Sequence, residues 1–300
     1  MTHDHITALK PGDVVAGYRI EGVLGSGGMG QVYLAHDTRL KRPVAIKLVD
    51  PQRQRPQDLV REARLAASLD HPSICAVHGV DYLGEEPFIV MEYIKGIPLS
   101  KVIRSRRSMS VTTALDFARQ IASAMAHAHE RGVIHGDLKS ANIMIGPDGR
   151  ATILDFGLAV RCDAACAAND DSTRQSPSSA AGTVPYMAPE IIRGQPPSMK
   201  SDIWALGVLI FEMIVGRRPF AGGTPYELAS NILINQRTRM ESLVQGPVRE
   251  VVDRCMCLDP AGRYGSVREL SAALRLLSRR KTAKSAALPG ALENKRRASV

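Results

Sequence analysis

Apolar and polar positions alternate along the first third of the chain, which is the pattern of half-buried β-strands. Strands are predicted over residues 18–24, 31–36, 43–49, 75–80 and 88–92, with glycine-rich or charged turns between most of them. The period changes in residues 57–69, where Leu59 and Ala63 fall on one face while Arg61 and Arg64 fall off it. This segment is therefore predicted to be a helix within a β-rich region.

Beyond residue 98 the spacing is mostly helical. Apolar side chains recur every three or four positions from Leu115 to His129, with Ser110 as the predicted N-cap. Residues 203–215 are apolar nearly all round, which indicates a helix inside a large body, ended by Gly216. Further helices are predicted near 225–235, 247–257 and 267–277, and short apolar runs at 143–145 and 151–154 flank a Gly-Pro-Asp-Gly turn.

These elements predict an α+β architecture with two lobes. An N-terminal extension (1–13) precedes a small β-rich lobe (14–92), a linker (93–98) and a larger helical lobe (99–280). Ligand sites tend to lie between two such bodies. Residues 163–181 and the basic tail, defined as residues 281–300, are predicted to be disordered because they contain few large apolar side chains.

The formal net charge of +9 is concentrated near the end of the chain, where residues 279–300 hold seven Lys or Arg and one acid, Glu293. The body has little excess charge and aromatic residues are only 4% of the chain, so we expect no nucleic-acid binding. The basic tail has no apolar face, which predicts only a weak attraction to acidic surfaces.

The five cysteines and an N-terminus without an apolar segment predict reduced thiols and a cytoplasmic protein. The pairs Cys162/Cys166 and Cys255/Cys257 lack histidines at zinc-finger spacing, so we expect no zinc site. The longest apolar run, 203–215, is too short to cross a bilayer, and we expect no membrane span.

A glycine-rich segment joins the first two predicted strands. Gly25, Gly27, Gly30 and Val32 form a G-x-G-x-x-G-x-V pattern, and glycines let backbone amides approach a polyphosphate closely. Rossmann folds use similar spacing, but there a helix opens at the end of the pattern. Here apolar and polar residues alternate over 31–36 as they do in a strand, which favours a phosphate-covering loop between two strands.

Lys47 stands at the end of an apolar strand segment, residues 44–47. Taken alone, such a lysine reaches solvent more often than it binds a ligand. A cation on a rigid strand opposite a glycine loop would instead hold phosphate oxygens. It would need a carboxylate to orient it, and Glu62 in the predicted helix is the candidate.

The densest chemistry lies in residues 135–142 (HGDLKSAN), with Asp155 thirteen residues beyond Asn142. Each polar residue singly is a credible solvated loop residue, but jointly they suit phosphoryl transfer, which needs positioning and charge neutralisation. Asp155 and Asn142 offer oxygen ligands for Mg²⁺, with Mn²⁺ as the alternative ion. Asp137 would orient or accept a hydroxyl proton, and Lys139 would offset charge on the transferred group.

Over roughly residues 14–277 the chain resembles eukaryotic-type protein kinases, and bacterial serine/threonine kinases most. The resemblance rests on the glycine loop, residues 44–47, 135–142, 155–157, 188–190 and 202–207, and Arg263. It implies a bilobal kinase fold whose small β-rich lobe holds one regulatory helix. It also implies ATP as the phosphate donor.

The resemblance further assigns roles to single residues. Backbone groups of Glu92 and Ile94 would bind adenine beside the gatekeeper Met91, and the ring would lie between Val32, Ala45 and Met144. In the large lobe, Glu190 would pair with Arg263, Asp202 would support the loop at 135–142, and His135 would stack with Phe156 in a packed column. His135 is then structural and not a base.

Lys139 and Thr183 set the implied substrate class. Lys139 stands where serine/threonine kinases carry a lysine, and Thr183 stands where those enzymes contact the acceptor residue. The implied activity is transfer of the γ-phosphate of ATP to Ser or Thr of proteins, including autophosphorylation, in bacterial signalling. No feature predicts a particular substrate, an activating signal or an oligomeric state.

Gly136 departs from the family pattern, in which an arginine usually pairs with a phosphate on the activation loop. Phosphorylation of that loop is therefore predicted to change kcat by less than about tenfold. Its candidate phosphosites are Ser172, Thr173, Ser176, Ser178 and Ser179, and Thr282 and Ser299 are candidates near the end of the chain.

The His-Gly-Asp sequence at residues 135–137 also occurs in small-molecule kinases such as those acting on aminoglycosides. These lack the Ala-Pro-Glu motif, the Thr183 loop and the Arg263 partner, all of which stand in this sequence. A non-catalytic docking module is the other alternative. It would normally have lost Lys47, Asp137 or Asp155.

Overall fold

The computed structural model describes residues 9–27, 30–49, 55–106, 108–156, 160–161, 183–237 and 246–286. The predicted disordered segment 163–181 lies outside them, as do the candidate phosphosites Ser172, Thr173, Ser176, Ser178, Ser179 and Ser299.

The N-terminal body is a six-stranded antiparallel sheet in the order β1-β2-β3-β4-β6-β5. The strands are β1 (Val14–Val15), β2 (Tyr18–Gly27), β3 (Gly30–Asp37), β4 (Arg42–Val49), β5 (Val77–Leu83) and β6 (Glu86–Glu92). The five predicted strands are confirmed. β5 starts two residues later than predicted because the Cys75 N–H donates to the Ile153 carbonyl, 2.8 Å away, in the C-terminal body.

The two faces of this sheet have different partners. On one face, Tyr33, Val44, Ile46 and Phe88 form a buried core of their own. The opposite face of β4 carries Ala45, Lys47 and Val49, because successive side chains of a strand point to opposite sides. Helix α1 (Pro56–Ala67) packs there, with Leu59 and Ala63 against Val49 and Ile89. The sheet therefore presents Lys47 on the same face as α1.

The C-terminal body is mostly helical, as predicted. Its helices are α2 (Leu99–Arg106), α3 (Val111–Glu130), α4 (Pro189–Ile192), α5 (Met199–Val215), α6 (Pro225–Leu233), α7 (Pro247–Cys255) and α8 (Val267–Ala286). Short strands lie between them at β7 (Ile97–Pro98), β8 (Val133–Ile134), β9 (Ile143–Ile145), β10 (Ala151–Ile153) and β11 (Val160–Arg161). Strands β9 and β10 form a hairpin to which β7 adds, and β8 pairs with β11.

Helix α5 runs through the centre of this body, in agreement with its apolar sequence. Every residue from Ser201 to Ile214 is buried. Ser198 and Ser201 form a reciprocal capping box at its start, and Gly216 ends it with a left-handed φ of 78°. The predicted N-cap of α3 is also present, because the Ser110 side chain accepts a bond from the Thr113 N–H.

Three helices differ from the sequence prediction. The four-residue helix α4 was not predicted. Helix α2 was not predicted, because its apolar positions are few, although Leu99 and Ile103 are fully buried. Helix α8 continues to Ala286, past the predicted boundary at residue 280, so the backbone of Thr282 is helical. The Lys- and Ala-rich sequence there favours helix, which explains the extension. Among the described residues, no helix is long and apolar enough to cross a membrane.

Candidate active site

Lys47 lies between two carboxylates. Its Nζ is 2.7 Å from Glu62 Oε1 on α1 and 3.0 Å from Asp155 Oδ1, which follows β10. The Lys47 residue is only 7% exposed, so the alternative of a solvent-directed lysine is wrong. Three residues from distant parts of the chain thus meet in one ion cluster, in which Lys47 and Glu62 are buried and the Asp155 side chain is 35% exposed.

The charges of this cluster reinforce one another. Burial by itself would lower the pKa of Lys47, but Asp155 and Glu62 raise it above its usual value, and the amine stays charged. Burial would raise the pKa of Asp155, but the adjacent ammonium of Lys47 keeps it below its usual value. The cluster of one cation and two carboxylates has a net charge of −1, which favours the binding of a further cation nearby.

Asp137 is held by its own loop. Lys139 Nζ donates to Asp137 Oδ2 over 2.6 Å, and Asn142 Nδ2 donates to the same oxygen over 3.2 Å and to the Asp137 carbonyl over 3.1 Å. The other carboxylate oxygen, Oδ1, is buried and has no hydrogen-bond partner in the described part of the chain. A buried acceptor without a donor is costly, and such groups mark functional sites.

Lys139 also joins the loop to the segment after residue 182. Its Nζ donates to Thr183 Oγ1 over 3.0 Å while holding Asp137. The structure therefore brings together the predicted catalytic acid, the predicted lysine and the predicted acceptor-contacting threonine. The unpartnered Asp137 Oδ1 belongs to this cluster, where a hydroxyl donor would complete it.

Asp202, in the first turn of α5, supports the backbone of the catalytic loop, by which we mean residues 135–142. It accepts bonds from the His135 N–H (2.9 Å), the Gly136 N–H (3.0 Å) and His129 Nε2 (2.7 Å). Burial would raise the pKa of Asp202, but the bond from His129 and the neighbouring groups keep it below its usual value. Gly136 has a left-handed φ of 74°, which glycine adopts without the strain of a Cβ.

His135 packs against Phe156, with ring centroids 4.7 Å apart. Its Nδ1 accepts the Asp137 N–H over 3.2 Å, and burial lowers the pKa of the ring. A fully buried imidazole with a lowered pKa is neutral at pH 7, and it orients the Asp137 backbone through this bond. The contacts of His135 are structural ones.

Glu190, at the start of α4, forms a bidentate pair with Arg263. Arg263 NH1 is 2.6 Å from Oε1 and NH2 is 2.8 Å from Oε2, and both residues are buried. The pair ties the segment after Thr183 to the region between α7 and α8.

Two groups that support the catalytic loop were not predicted from the sequence: His129, and Tyr186 with Glu212. His129 was recognised only as part of a helix face, although it hydrogen-bonds Asp202. The Tyr186 hydroxyl lies 2.8 Å from Ser140 Oγ in the catalytic loop and donates to Glu212 Oε2 over 2.6 Å. Burial, followed by the charge of Glu212, raises the pKa of Tyr186 to about 12. The signal was polar residues inside apolar helices, at His129 and Glu212.

The predicted adenine-binding residues lie on the Lys47 face of the sheet and beside it. Val32 pairs directly with Lys47, and Met91 pairs directly with Ala45, so these side chains share one face. At the end of β6, the Glu92 carbonyl accepts a weak bond from Cys75 Sγ. Within the described residues the Ile94 N–H has no hydrogen-bond partner. Met144 is half-buried on β9, opposite Thr152 and Pro98.

The glycine segment joins β2 to β3, which confirms the strand-to-strand loop. Ser26 pairs with Gln31 and Gly27 pairs with Gly30, and Gly25 lies opposite Val32. Gly30 has a φ of 144°, and a Cβ there would lie 2.0 Å from the Leu48 carbonyl oxygen. Only glycine fits this position. Residues 28 and 29 at the tip lie outside the described residues.

The residues predicted to hold metal suit a hard divalent cation. Asn142 directs its Nδ2 to Asp137, which leaves its carbonyl oxygen as the remaining acceptor of the amide. Asp155 supplies a carboxylate whose lowered pKa keeps it ionised. Oxygen donors of these two kinds are what Mg²⁺ and similar ions bind.

This fold and site define a protein kinase. Residues 18–274 match the protein kinase domain family, and the chain belongs to that family. Membership implies the use of ATP with a divalent metal ion.

Several bacterial serine/threonine-protein kinases are similar in sequence to this chain. PrkC, a serine/threonine-protein kinase of Bacillus subtilis, is 35% identical over 268 residues, covering 86% of this chain and 40% of its own. PknA of Mycobacterium tuberculosis is 35% identical over 260 residues, covering 83% of this chain and 58% of its own. PknB of the same species is 33% identical over 269 residues, covering 86% of this chain and 42% of its own. The chain thus spans about half the length of these relatives.

Proposed function

We propose that this protein transfers the γ-phosphate of ATP to Ser or Thr hydroxyls of proteins, and that it also phosphorylates itself. The observation that carries the proposal is the buried, unpartnered Asp137 Oδ1 in a cluster with Lys139 and Thr183. That oxygen is an acceptor in need of a hydroxyl donor. The names of the relatives, all serine/threonine-protein kinases, support the same acceptor class.

In this proposal Asp137 orients the acceptor hydroxyl through Oδ1 and takes up its proton, a contribution of about 10²–10⁴-fold in rate. Lys139 stays near enough to offset negative charge on the transferred group. His135 and Asp202 are positioning residues, because they act only through the backbone of the catalytic loop.

Lys47 would hold phosphate oxygens of ATP, and Glu62 fixes the direction of its ammonium group. The backbone amides of Gly25, Gly27 and Gly30 would cover the phosphates. The adenine ring would lie between Val32, Ala45 and Met144 beside Met91, with backbone bonds from Glu92 and Ile94.

We propose Mg²⁺ as the physiological ion, with Asn142 and Asp155 as its protein ligands. When bound, the ion would neutralise negative charge on the phosphate groups. The protein's own part is to keep both ligands oriented. Asn142 is held by Asp137, and Asp155 is held by Lys47.

We also propose that activation-loop phosphorylation has little effect on kcat, because Gly136 offers no cation to a phosphate. Its backbone instead donates to Asp202, which holds the catalytic loop without a modified partner. Thr282 and Ser299 remain candidate sites for autophosphorylation or for a partner kinase.

The test is phosphate transfer from labelled ATP to a mixed peptide library and to a lysate, followed by phosphosite mapping. Wild type should label Ser and Thr, and Asp137→Asn should lower the rate by at least about 10²-fold. Asp148→Asn makes the same chemical change in an exposed turn and serves as the matched control. Thermal unfolding of each variant checks that the fold is kept.

Three results would contradict the proposal. Robust labelling by Asp137→Asn would remove the assigned catalytic residue. ATP turnover by wild type without any labelled peptide or protein would favour a small-molecule kinase, and no turnover at all would favour a docking module.

A further inference from the structure

Two neighbouring arginines follow the end of α5, and only one of them contacts the acceptor region. Arg217 and Arg218 come directly after Gly216, and both are exposed. The guanidinium carbon of Arg218 lies 5.4 Å from the centre of the Tyr186 ring, and its Nε lies 3.6 Å from Glu212 Oε1. No comparable contact is made by Arg217 in the described part of the chain.

Tyr186 connects Arg218 to the proposed acceptor site. The Tyr186 N–H donates to the Thr183 carbonyl over 2.9 Å, and its hydroxyl bonds Ser140 in the catalytic loop. Arg218 is therefore one aromatic ring away from both the threonine proposed to contact the acceptor and the catalytic loop. Through this chain of contacts, Arg218 is the described cation that the Tyr186 ring links to Thr183, where we propose that the substrate segment binds.

Glu212 is not available to a positively charged substrate residue. Its side chain is only 10% exposed, one oxygen accepts the Tyr186 hydroxyl and the other faces Arg218. A substrate arginine would have to displace Arg218 and would meet its charge. Arg218 thus covers the carboxylate nearest to Tyr186.

Arg218 itself is available to a negatively charged residue. Its side chain is 45% exposed, and it makes no hydrogen bond among the described residues, so its terminal nitrogens keep their donors. Its pairing with Glu212 is long, 3.6 Å through Nε, so the two terminal nitrogens can bind a second carboxylate without displacing Glu212. The planar guanidinium matches a carboxylate with two parallel bonds, which an ammonium group does not.

We propose that Arg218 is a specificity-determining residue that binds an acidic side chain of the protein substrate near the acceptor hydroxyl and disfavours arginine there. The inference rests on the proposed protein kinase function and names its preferred substrate class. Arg217 has the same charge without the contacts to Tyr186 and Glu212, and so has no such role.

The experiment compares peptides that share a central Ser and differ at one flanking position in having Glu, Gln or Arg. For wild type, Arg218→Ala, Arg218→Lys and the matched control Arg217→Ala, kcat/KM is measured for each peptide. At one position wild type should prefer Glu over Gln by about tenfold, which corresponds to about 1.4 kcal/mol and is the size expected of a bidentate charge-assisted contact. Arg218→Ala should bring this ratio near one through KM and should raise the use of the Arg peptide, because Glu212 is uncovered.

Arg218→Lys should retain part of the preference, and Arg217→Ala should retain all of it. Three results would overturn the proposal: an unchanged Glu/Gln ratio in Arg218→Ala, an equal loss in Arg217→Ala, or a uniform fall in kcat for all peptides. The last would mean that Arg218 only supports Tyr186. If wild type labels no peptide or protein at all, the proposed function fails as well, whereas labelling without a changed ratio refutes this inference alone.

Discussion

Replacing Arg263 with Ala should be among the most destabilising single changes in the C-terminal body. The guanidinium is fully buried, and besides its two bonds to Glu190 it donates to three backbone carbonyls and lies 5.1 Å from the ring of Trp204. The carbonyls belong to Cys257 (2.9 Å), Lys200 (2.9 Å) and Leu258 (3.3 Å). One side chain thus satisfies a carboxylate and three peptide groups.

The expected cost follows from what Arg263→Ala leaves behind. Glu190, only 5% exposed, would lose the one cation that pairs with it in the described part of the chain, and breaking one side of a buried pair costs about 3–5 kcal/mol. Each orphaned carbonyl adds about 1 kcal/mol or more unless water reaches it. Since single domains are stable by about 5–15 kcal/mol, we expect the free energy of unfolding to fall by about a third or more.

Urea unfolding at pH 7 measures this loss. Arg268→Ala is the matched control, because Arg268 also pairs with a glutamate, Glu130, but at the surface. That variant should lose far less stability. The double variant Arg263→Met with Glu190→Met should recover part of the loss, because it leaves no uncompensated charge.

The reasoning would be refuted if Arg263→Ala lowered the free energy of unfolding by less than about 1 kcal/mol, which is the most that a typical surface pair contributes. It would also be refuted if the double variant were no more stable than Arg263→Ala. Both results would mean that burial of the pair is not the source of its contribution.

Two further predictions concern the catalytic loop. Gly136→Ala should lower the free energy of unfolding by about 1–2 kcal/mol, because the φ of 74° at Gly136 is left-handed, and it should also lower kcat. The control Gly149→Ala, with a φ of 77° in the β9–β10 turn, should be destabilised to a similar extent and keep a normal kcat. A Gly136→Ala variant with wild-type stability and kcat would contradict this prediction. Because burial lowers the pKa of His135, its contribution to stability is full above about pH 6.5 and is lost as the pH falls through the folded-state value. Unfolding between pH 7.5 and 5 should therefore show a shallower slope for His135→Phe than for wild type, and equal slopes would argue against a neutral His135.

Much of the fold follows from local patterns. Five of the six strands of the N-terminal sheet, the Ser110 cap and the buried helix α5 were predicted because periodicity and capping depend on residues a few positions apart. The short helix α2 was missed because only Leu99 and Ile103 mark its buried side. A stripe that short does not stand out from a loop.

The residue types of the candidate site could also be recognised in the sequence, because Lys47, Asp137, Asn142 and Asp155 have side chains of the kinds that bind phosphate groups and divalent metal ions. Their mutual contacts were not. Lys47 and Asp155 are 108 positions apart, and His129 and Asp202 are 73 apart. Contacts at that separation depend on how the lobes and helices pack, and no local period encodes them.

The sequence by itself therefore determined which side chains are present, which elements form and that Gly136 brings no cation to the activation loop. Only the tertiary structure decided that Asp202 holds the Gly136 backbone, that Asp137 Oδ1 is left without a donor, and that Arg218 lies against Tyr186. The reason is physical. Local structure depends on propensity and spacing along the chain, whereas hydrogen-bond satisfaction and charge pairing depend on which surfaces the packed core brings together.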